Sequence, residues 1–155
     1  MKISAQEEYG LRCILQLASA PSGESFTVAE IAKREGISVA YAEKLLRILS
    51  KAGLTQSLRG VKGGYTFARP PQQITLGDVG RALGGMQTQE DICHRFTGNM
   101  NICVHDNGCD IRPIWQGITK YVLEVMDSIR ISEVLAKKGL VQLPSGTSAA
   151  LPLCR

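Results

Sequence analysis

Three thiols in one short stretch, Cys93, Cys103 and Cys109 of CHRFTGNMNICVHDNGC, are the residues of this chain best suited to chemistry. Nine and then five residues separate them, and Gly98, Asn99, Asn101, Asn107 and Gly108 intervene, a composition that makes turns rather than a helix or strand. Such a loop can fold its sulfurs around one centre, and thiolate prefers a soft metal or an iron–sulfur cluster. Four ligands are usual, and the loop supplies three. Adding His105 gives a Cys3His set suited to zinc, although no tight Cys-x2-Cys knuckle is present. Without metal, the same thiols read as a thiol–disulfide switch. Cys13, inside a predicted helix, reads as a small buried side chain, and Cys154 belongs to no pattern.

The chain of 155 residues is 44% hydrophobic, enough for one domain with a proper core. No apolar run reaches the roughly 18 residues of a membrane span, and MKISAQEE lacks the basic-then-apolar order of a signal peptide, so a cytoplasmic location without membrane contact is expected. In that reducing compartment five cysteines point to metal or redox chemistry more than to structural disulfides. The net charge of +4 is unevenly placed. Residues 1–70 hold ten Lys or Arg against six Asp or Glu, and residues 71–155 hold eight of each. A basic excess confined to one half is the footprint of a nucleic-acid-binding surface.

The elements around the loop fit that partner. Ser4 and Glu7 form a capping box before a helix with Leu11, Ile14, Leu15 and Ala18 on one face, stopped at Pro21, Ser22 and Gly23. Thr27 and Glu30 repeat the box before a short helix that buries Val28, Ile31 and Ala32 and ends at Gly36. Ser38 caps a third helix, with Ala42, Leu45, Leu46 and Leu49 inward and Ala40, Tyr41, Glu43, Lys44 and Arg47 outward. Two short helices across a tight glycine turn make a helix-turn-helix, whose outward residue types suit base edges and phosphates. Strands at Leu54–Leu58 and Tyr65–Ala68 follow, joined by a tip that carries Arg59 and Lys62 among Gly60, Gly63 and Gly64. A cationic tip nearly free of bulk is a wing that can follow a phosphate backbone or enter a minor groove.

Thr75 and Asp78 open another short helix, ended by Gly84 and Gly85. Beyond the thiol loop, Asp110 suits the N-cap and Pro113 the first turn of a long helix whose apolar positions Ile111, Ile114, Trp115, Ile118, Val122, Val125 and Ile129 step by three and four. That stripe has the length to pack against the same helix of a second subunit. Ser132 restarts a short terminal helix, and the stretch beyond Leu143 has no periodicity.

The order of parts, and above all LRGVKGGYTFARPPQQITLGDV, resembles the IscR/NsrR (Rrf-type) family of winged-helix transcription regulators over roughly residues 1–140. The resemblance implies a mainly α fold with a small β-hairpin wing, a winged helix-turn-helix followed by a long dimerisation helix. It implies a homodimer on a palindromic double-stranded DNA operator, contacted through Ser38, Tyr41, Glu43, Lys44, Arg47, Arg59, Gly60, Lys62 and Gly63. It implies an iron–sulfur cluster, [2Fe–2S] or [4Fe–4S], on Cys93, Cys103 and Cys109, whose nine-residue first gap exceeds the usual family spacing. IscR-type members place a histidine three residues after the last cysteine. This chain has Arg112 there, whose guanidinium offers no lone pair. Other branches use an acidic residue near the N-terminus of the opposite subunit, which makes Glu8 in trans the favoured fourth ligand over His105, His94 or Asp106.

The expected division is a DNA-binding domain at 1–85, a cluster loop at 86–110, a dimerisation helix with the terminal short helix at 111–140, and a disordered tail at 141–155. The regulator would respond to redox state, nitric oxide, or iron and cluster supply. A zinc-stabilised or thiol-switch repressor is the near alternative, and a cluster carrier or electron-transfer protein the distant one, disfavoured by the basic wing. No nucleophile–base pair or phosphate-binding loop suggests an enzyme.

Overall fold

Helix α1, Ala5–Ala18, opens with the predicted capping box: Ser4 Oγ accepts from the Glu7 N–H at 3.2 Å, and a Glu7 carboxylate oxygen accepts from the Ser4 N–H at 2.8 Å. The structure is a computed structural model and describes residues 3–21, 24–60, 63–85, 93–105, 108–136, 140–141 and 151–152. The buried face of α1 is Gly10, Cys13, Ile14 and Leu17, whereas the expected Leu11, Leu15 and Ala18 are half-buried at its margin. The shift follows from Gly10. Leu83 Cδ1 lies 2.5 Å from where a Cβ on residue 10 would stand, so the missing side chain lets Leu83 press against the helix there.

Helices α2 (Val28–Glu35) and α3 (Val39–Lys51) form the helix-turn-helix. Thr27 and Glu30 complete the second capping box, and Gly36, at φ 65°, ends α2 in the left-handed conformation that favours glycine. In α3 the buried residues are Ala42, Leu45, Leu46 and Leu49, as the periodicity predicts. The three leucines form one core with Ile14, Ile31, Leu54, Ile74, Val79 and Ile131.

Strands β1 (Thr55–Leu58) and β2 (Gly64–Phe67) pair antiparallel, with Thr55 opposite Phe67 and Leu58 opposite Gly64. The sequence places each strand one residue off. A third contributor was not foreseen: Phe26 bridges Tyr65, its N–H donating to the Tyr65 carbonyl at 3.2 Å and the Tyr65 N–H donating back at 2.8 Å. This bridge explains Gly64. A Cβ there would stand 2.6 Å from the Phe26 carbonyl oxygen, a backbone atom that cannot move aside.

A 3-10 turn at Pro71–Gln73 leads to α4 (Leu76–Ala82), whose N-terminus is the capping box of Thr75 and Asp78. Helix α5 (Arg112–Ser128) begins after Ile111 with no side-chain cap, so Asp110 is not its N-cap, while Pro113 sits in the first turn as expected. The C-terminal end of α5 is fastened to α4. Arg81 bridges to Asp127 at 2.7 Å and to Asp78 at 3.1 Å, and the Leu76 N–H donates to the Ile129 carbonyl at 2.9 Å. The short helix α6 spans Ile131–Leu135 rather than starting at Ser132, because the Arg130 N–H donates to Glu133 Oε2 at 3.0 Å and Ile131 drops into the core. Of the stretch expected to be disordered, 141–155, the described residues join one short antiparallel pair, β3 (Leu140–Val141) with β4 (Leu151–Pro152), which begins one residue before it.

Asp78 carries the junction between α4 and its surroundings, and its carboxyl responds accordingly. Partial burial alone would raise its pKa, but the Thr75 N–H, the Arg81 side chain and the charges of Arg69 and Arg81 together hold it below the ordinary carboxylate range. A lowered folded-state pKa contributes stability above the unfolded value, about 3.9, that disappears as pH falls through the folded one. Asp78→Asn should therefore cost about 1 kcal/mol at pH 7, and the gap between variant and wild type should close below about pH 4. Urea unfolding of both proteins at pH 7 and pH 3 measures this.

Candidate nucleic-acid interface and thiol loop

The expected DNA-contacting residues fall on α3 and the wing. Ala40, Glu43, Lys44 and Arg47 are exposed, and with Ile48 and Lys51 they line a shallow groove along α3. Lys51 was missed by the sequence reading, although a lysine in the last helical turn is ordinary for its favourable interaction with the helix C-terminus. Four of the expected contacts are engaged within the chain. Ser38 Oγ accepts from the Tyr41 N–H at 3.2 Å as the N-cap. Glu43 and Arg47 pair at 2.6 Å, one turn apart. Tyr41 is half-buried rather than exposed, its ring edge-on to Tyr9 with centroids 6.1 Å apart and planes at 78°.

At the wing, Arg59 is exposed, Gly60 adopts φ 106°, and the Gly63 N–H donates to the Gly60 carbonyl at 2.8 Å. A Cβ on Gly63 would lie 2.8 Å from that carbonyl oxygen and 2.9 Å from Leu58 O, so the tip needs small residues for shape. Lys62 lies outside the described residues. If Arg59 meets a phosphate, Arg59→Ala will lower the slope of log affinity against log salt by about one unit. Titrations at several salt concentrations read that slope, and an unchanged value removes Arg59 from the role.

The thiol loop, in its described parts, is built from local turns. Residues 93–95 form a helical turn, the Met100 N–H donates to Thr97 O at 3.3 Å, Gly98 sits at φ 65°, and the Gly108 N–H donates to His105 O at 3.1 Å. Cys93, Cys103 and Cys109 are free and half-buried. Cys13 is also free but fully buried, and burial pushes its thiol up to about 12, so it stays protonated and is no ligand or nucleophile at neutral pH. The loop also exposes Phe96, Met100, Ile102 and Val104.

As a donor set, three accessible thiols on a turn-rich loop fit an iron–sulfur cluster in kind. In arrangement a single chain does not close a site: among the described residues no three His, Cys, Asp or Glu side chains come together to hold a metal. Asp106 lies outside the described residues, and His94 and His105 are exposed.

Glu8 is half-exposed and held by Arg12, whose Nη2 lies 2.7 Å from the carboxylate and whose Nε also donates to it at 2.8 Å. The sequence reading left Arg12 without this role, although the i, i+4 spacing of Glu8 and Arg12 signals it. Glu8 raises the Arg12 pKa, and the Arg12 guanidinium lies 5.4 Å from the centre of the Tyr9 ring. Tyr9 in turn meets Tyr41. An unbroken series of contacts thus runs from Glu8 through Arg12 and Tyr9 to the first turn of α3.

Comparison with known proteins gives this arrangement a context. A family model described as "Rrf2: Iron-dependent Transcriptional regulator" matches residues 3–137. Protein rrf2 of Nitratidesulfovibrio vulgaris is 32% identical over 145 residues, covering 90% of this chain and 91% of that protein. Among solved structures, T. potens IscR is similar with a TM-score of 0.70 at 31% identity, covering 88% of this chain and 87% of the other. CymR of B. subtilis, described as the global cysteine regulator, reaches a TM-score of 0.69 at 30% identity over 88% of this chain and 97% of its own.

Proposed function

This chain belongs to the Rrf2 family of transcriptional regulators, a non-enzymatic family with a winged-helix DNA-binding fold, and from that premise we propose that its DNA binding is governed by an iron–sulfur cluster. The proposed ligands are Cys93, Cys103 and Cys109 of one subunit and the partner subunit's Glu8. The protein acts as a cytoplasmic homodimer on a palindromic operator, most simply as a repressor. The observation that carries this reading is the contrast among the cysteines: the three in the turn-rich loop are partly exposed, while Cys13 is sealed in the core.

Bound there, a [2Fe–2S] or [4Fe–4S] cluster supplies a centre sensitive to redox state, nitric oxide and iron supply. The chain's own residues supply the readout. Glu8 is a hard oxygen donor among soft thiolates and is the donor that leaves most readily. Arg12 stands one helical turn away to take the carboxylate back. When Glu8 turns toward the partner's loop, Arg12 is released over Tyr9, and the Tyr9–Tyr41 contact conveys the change to the N-terminal turn of α3. Each half-site needs its helix at fixed separation, so a small displacement alters affinity.

Anaerobic purification followed by visible absorption, iron and acid-labile sulfide analysis tests the reading. The expected protein is coloured, with iron and sulfide in matching amounts, and Glu8→Ala makes the colour fade faster in air while the apo dimer stays folded. A colourless, zinc-containing protein that cannot be reconstituted with iron and sulfide overturns it. One observation favours a second reading, a thiol switch without metal: a similar solved structure is that of a protein described as a global cysteine regulator. That reading requires a reversible disulfide among the loop cysteines that changes DNA affinity without iron.

A further inference from the structure

On α3 four of the polar side chains that could read bases are already engaged within the chain, and beside the charges of Lys44 and Lys51 the helix exposes two apolar residues in its first turn. Ser38 Oγ caps the helix, the Tyr41 ring packs on Tyr9, and Glu43 and Arg47 hold each other. Lys44 is a compact exposed charge on a flexible stem that can meet a phosphate or a guanine edge. Val39, by contrast, is 52% exposed at the first position of the helix and is absent from the core, and Ala40 beside it is also exposed. A β-branched residue there does nothing for helix propensity. The first turn of a recognition helix is the part that meets base edges, and the apolar feature of the major groove is the thymine C5-methyl group.

We propose that Val39, supported by Ala40, reads the C5-methyl of a thymine in each operator half-site. This rests on the DNA-binding reading of α3 and extends it to the class of base recognised. The contact is apolar and needs no hydrogen bond, so Glu43 and Arg47 can keep their pair while the helix lies in the groove.

The test begins by selecting bound duplexes from a randomised double-stranded DNA pool with the full-length protein. Each thymine of the selected sequence is then replaced by deoxyuridine, which lacks only the methyl group, and affinities are measured for wild type and Val39→Ala. At one position per half-site the wild type should bind the deoxyuridine duplex about fourfold more weakly, the ratio for removing one methyl from an apolar contact. Val39→Ala should bind thymine and deoxyuridine there equally. Val39 is exposed, so the variant is expected to fold, and an unchanged melting temperature checks this. If Val39→Ala keeps the discrimination, or the wild type shows none at any thymine, the assignment is overturned while DNA binding stands. A pool that yields no enriched duplex removes the DNA-binding premise and the assignment with it.

Discussion

If the proposed dimer forms through α5, Ile114→Asp combined with Ile118→Asp should convert the protein to a monomer in light scattering and weaken operator binding by about 100- to 10,000-fold, the range lost when two linked half-site contacts become independent. The expectation follows from how α5 sits on its own domain. None of its residues is buried within the single chain. Ile114 is 58% exposed, Ile118 50% and Trp115 42%, all in the half of the helix remote from the Arg81–Asp127 bridge. The stripe predicted from the sequence therefore exists, and its own domain covers only the C-terminal end. Each of these side chains gains roughly 1 kcal/mol when a symmetric partner covers its remaining surface. An unpaired carboxylate at the same place costs more than that gain. A dimer of unchanged mass in the double variant would show that α5 is not the interface.

The second large effect separates two cysteines that composition alone cannot distinguish. Cys103→Ala should abolish iron and sulfide incorporation while leaving thermal stability unchanged, because Cys103 is half-buried in a loop of local turns. Cys13→Ala should do the reverse. Its thiol fills the core beside Ile14 and Leu17, so the variant loses on the order of 1 to 2 kcal/mol, yet the holo protein keeps its colour. Iron and sulfide analysis and calorimetry on both variants decide the matter. Retained iron in Cys103→Ala would exclude that thiol from the site.

These outcomes draw on different parts of what was legible in the sequence. Helices α2 and α3 are legible because their signals are local: a capping box and the left-handed Gly36 bound α2, and the N-cap Ser38 with a 3.6-residue period defines α3. The inward face of α1 was misplaced because it depends on Leu83, more than seventy residues away, entering the space left by Gly10. Phe26 and Ile131 escaped for a related reason. Each enters the sheet or the core as a single residue outside any periodic run, so no local pattern announces it. The thiol loop shows a further limit. Residue type declares the chemistry, but among the described residues no three such side chains come together within one chain, so the fourth ligand proposed from the partner could not be read from one chain's geometry. At the DNA face, residue types named the candidates, whereas the Glu43–Arg47 pair and the Tyr9–Tyr41 contact show which of them are already committed.

The attachment of α5 at one end has a mechanical consequence. Its 17 residues make a rigid rod about 25 Å long, pinned at Asp127 and Ile129 and carrying the last thiol of the loop just beyond its other end. A tilt of about 5° at the pin sweeps the far tip through roughly 2 Å over that length. In reverse, a push at the thiol end acts through a long arm on the pin, where Arg81 of α4 holds Asp127. The helix is a lever with its fulcrum in the DNA-binding domain and its handle beside the sulfur atoms.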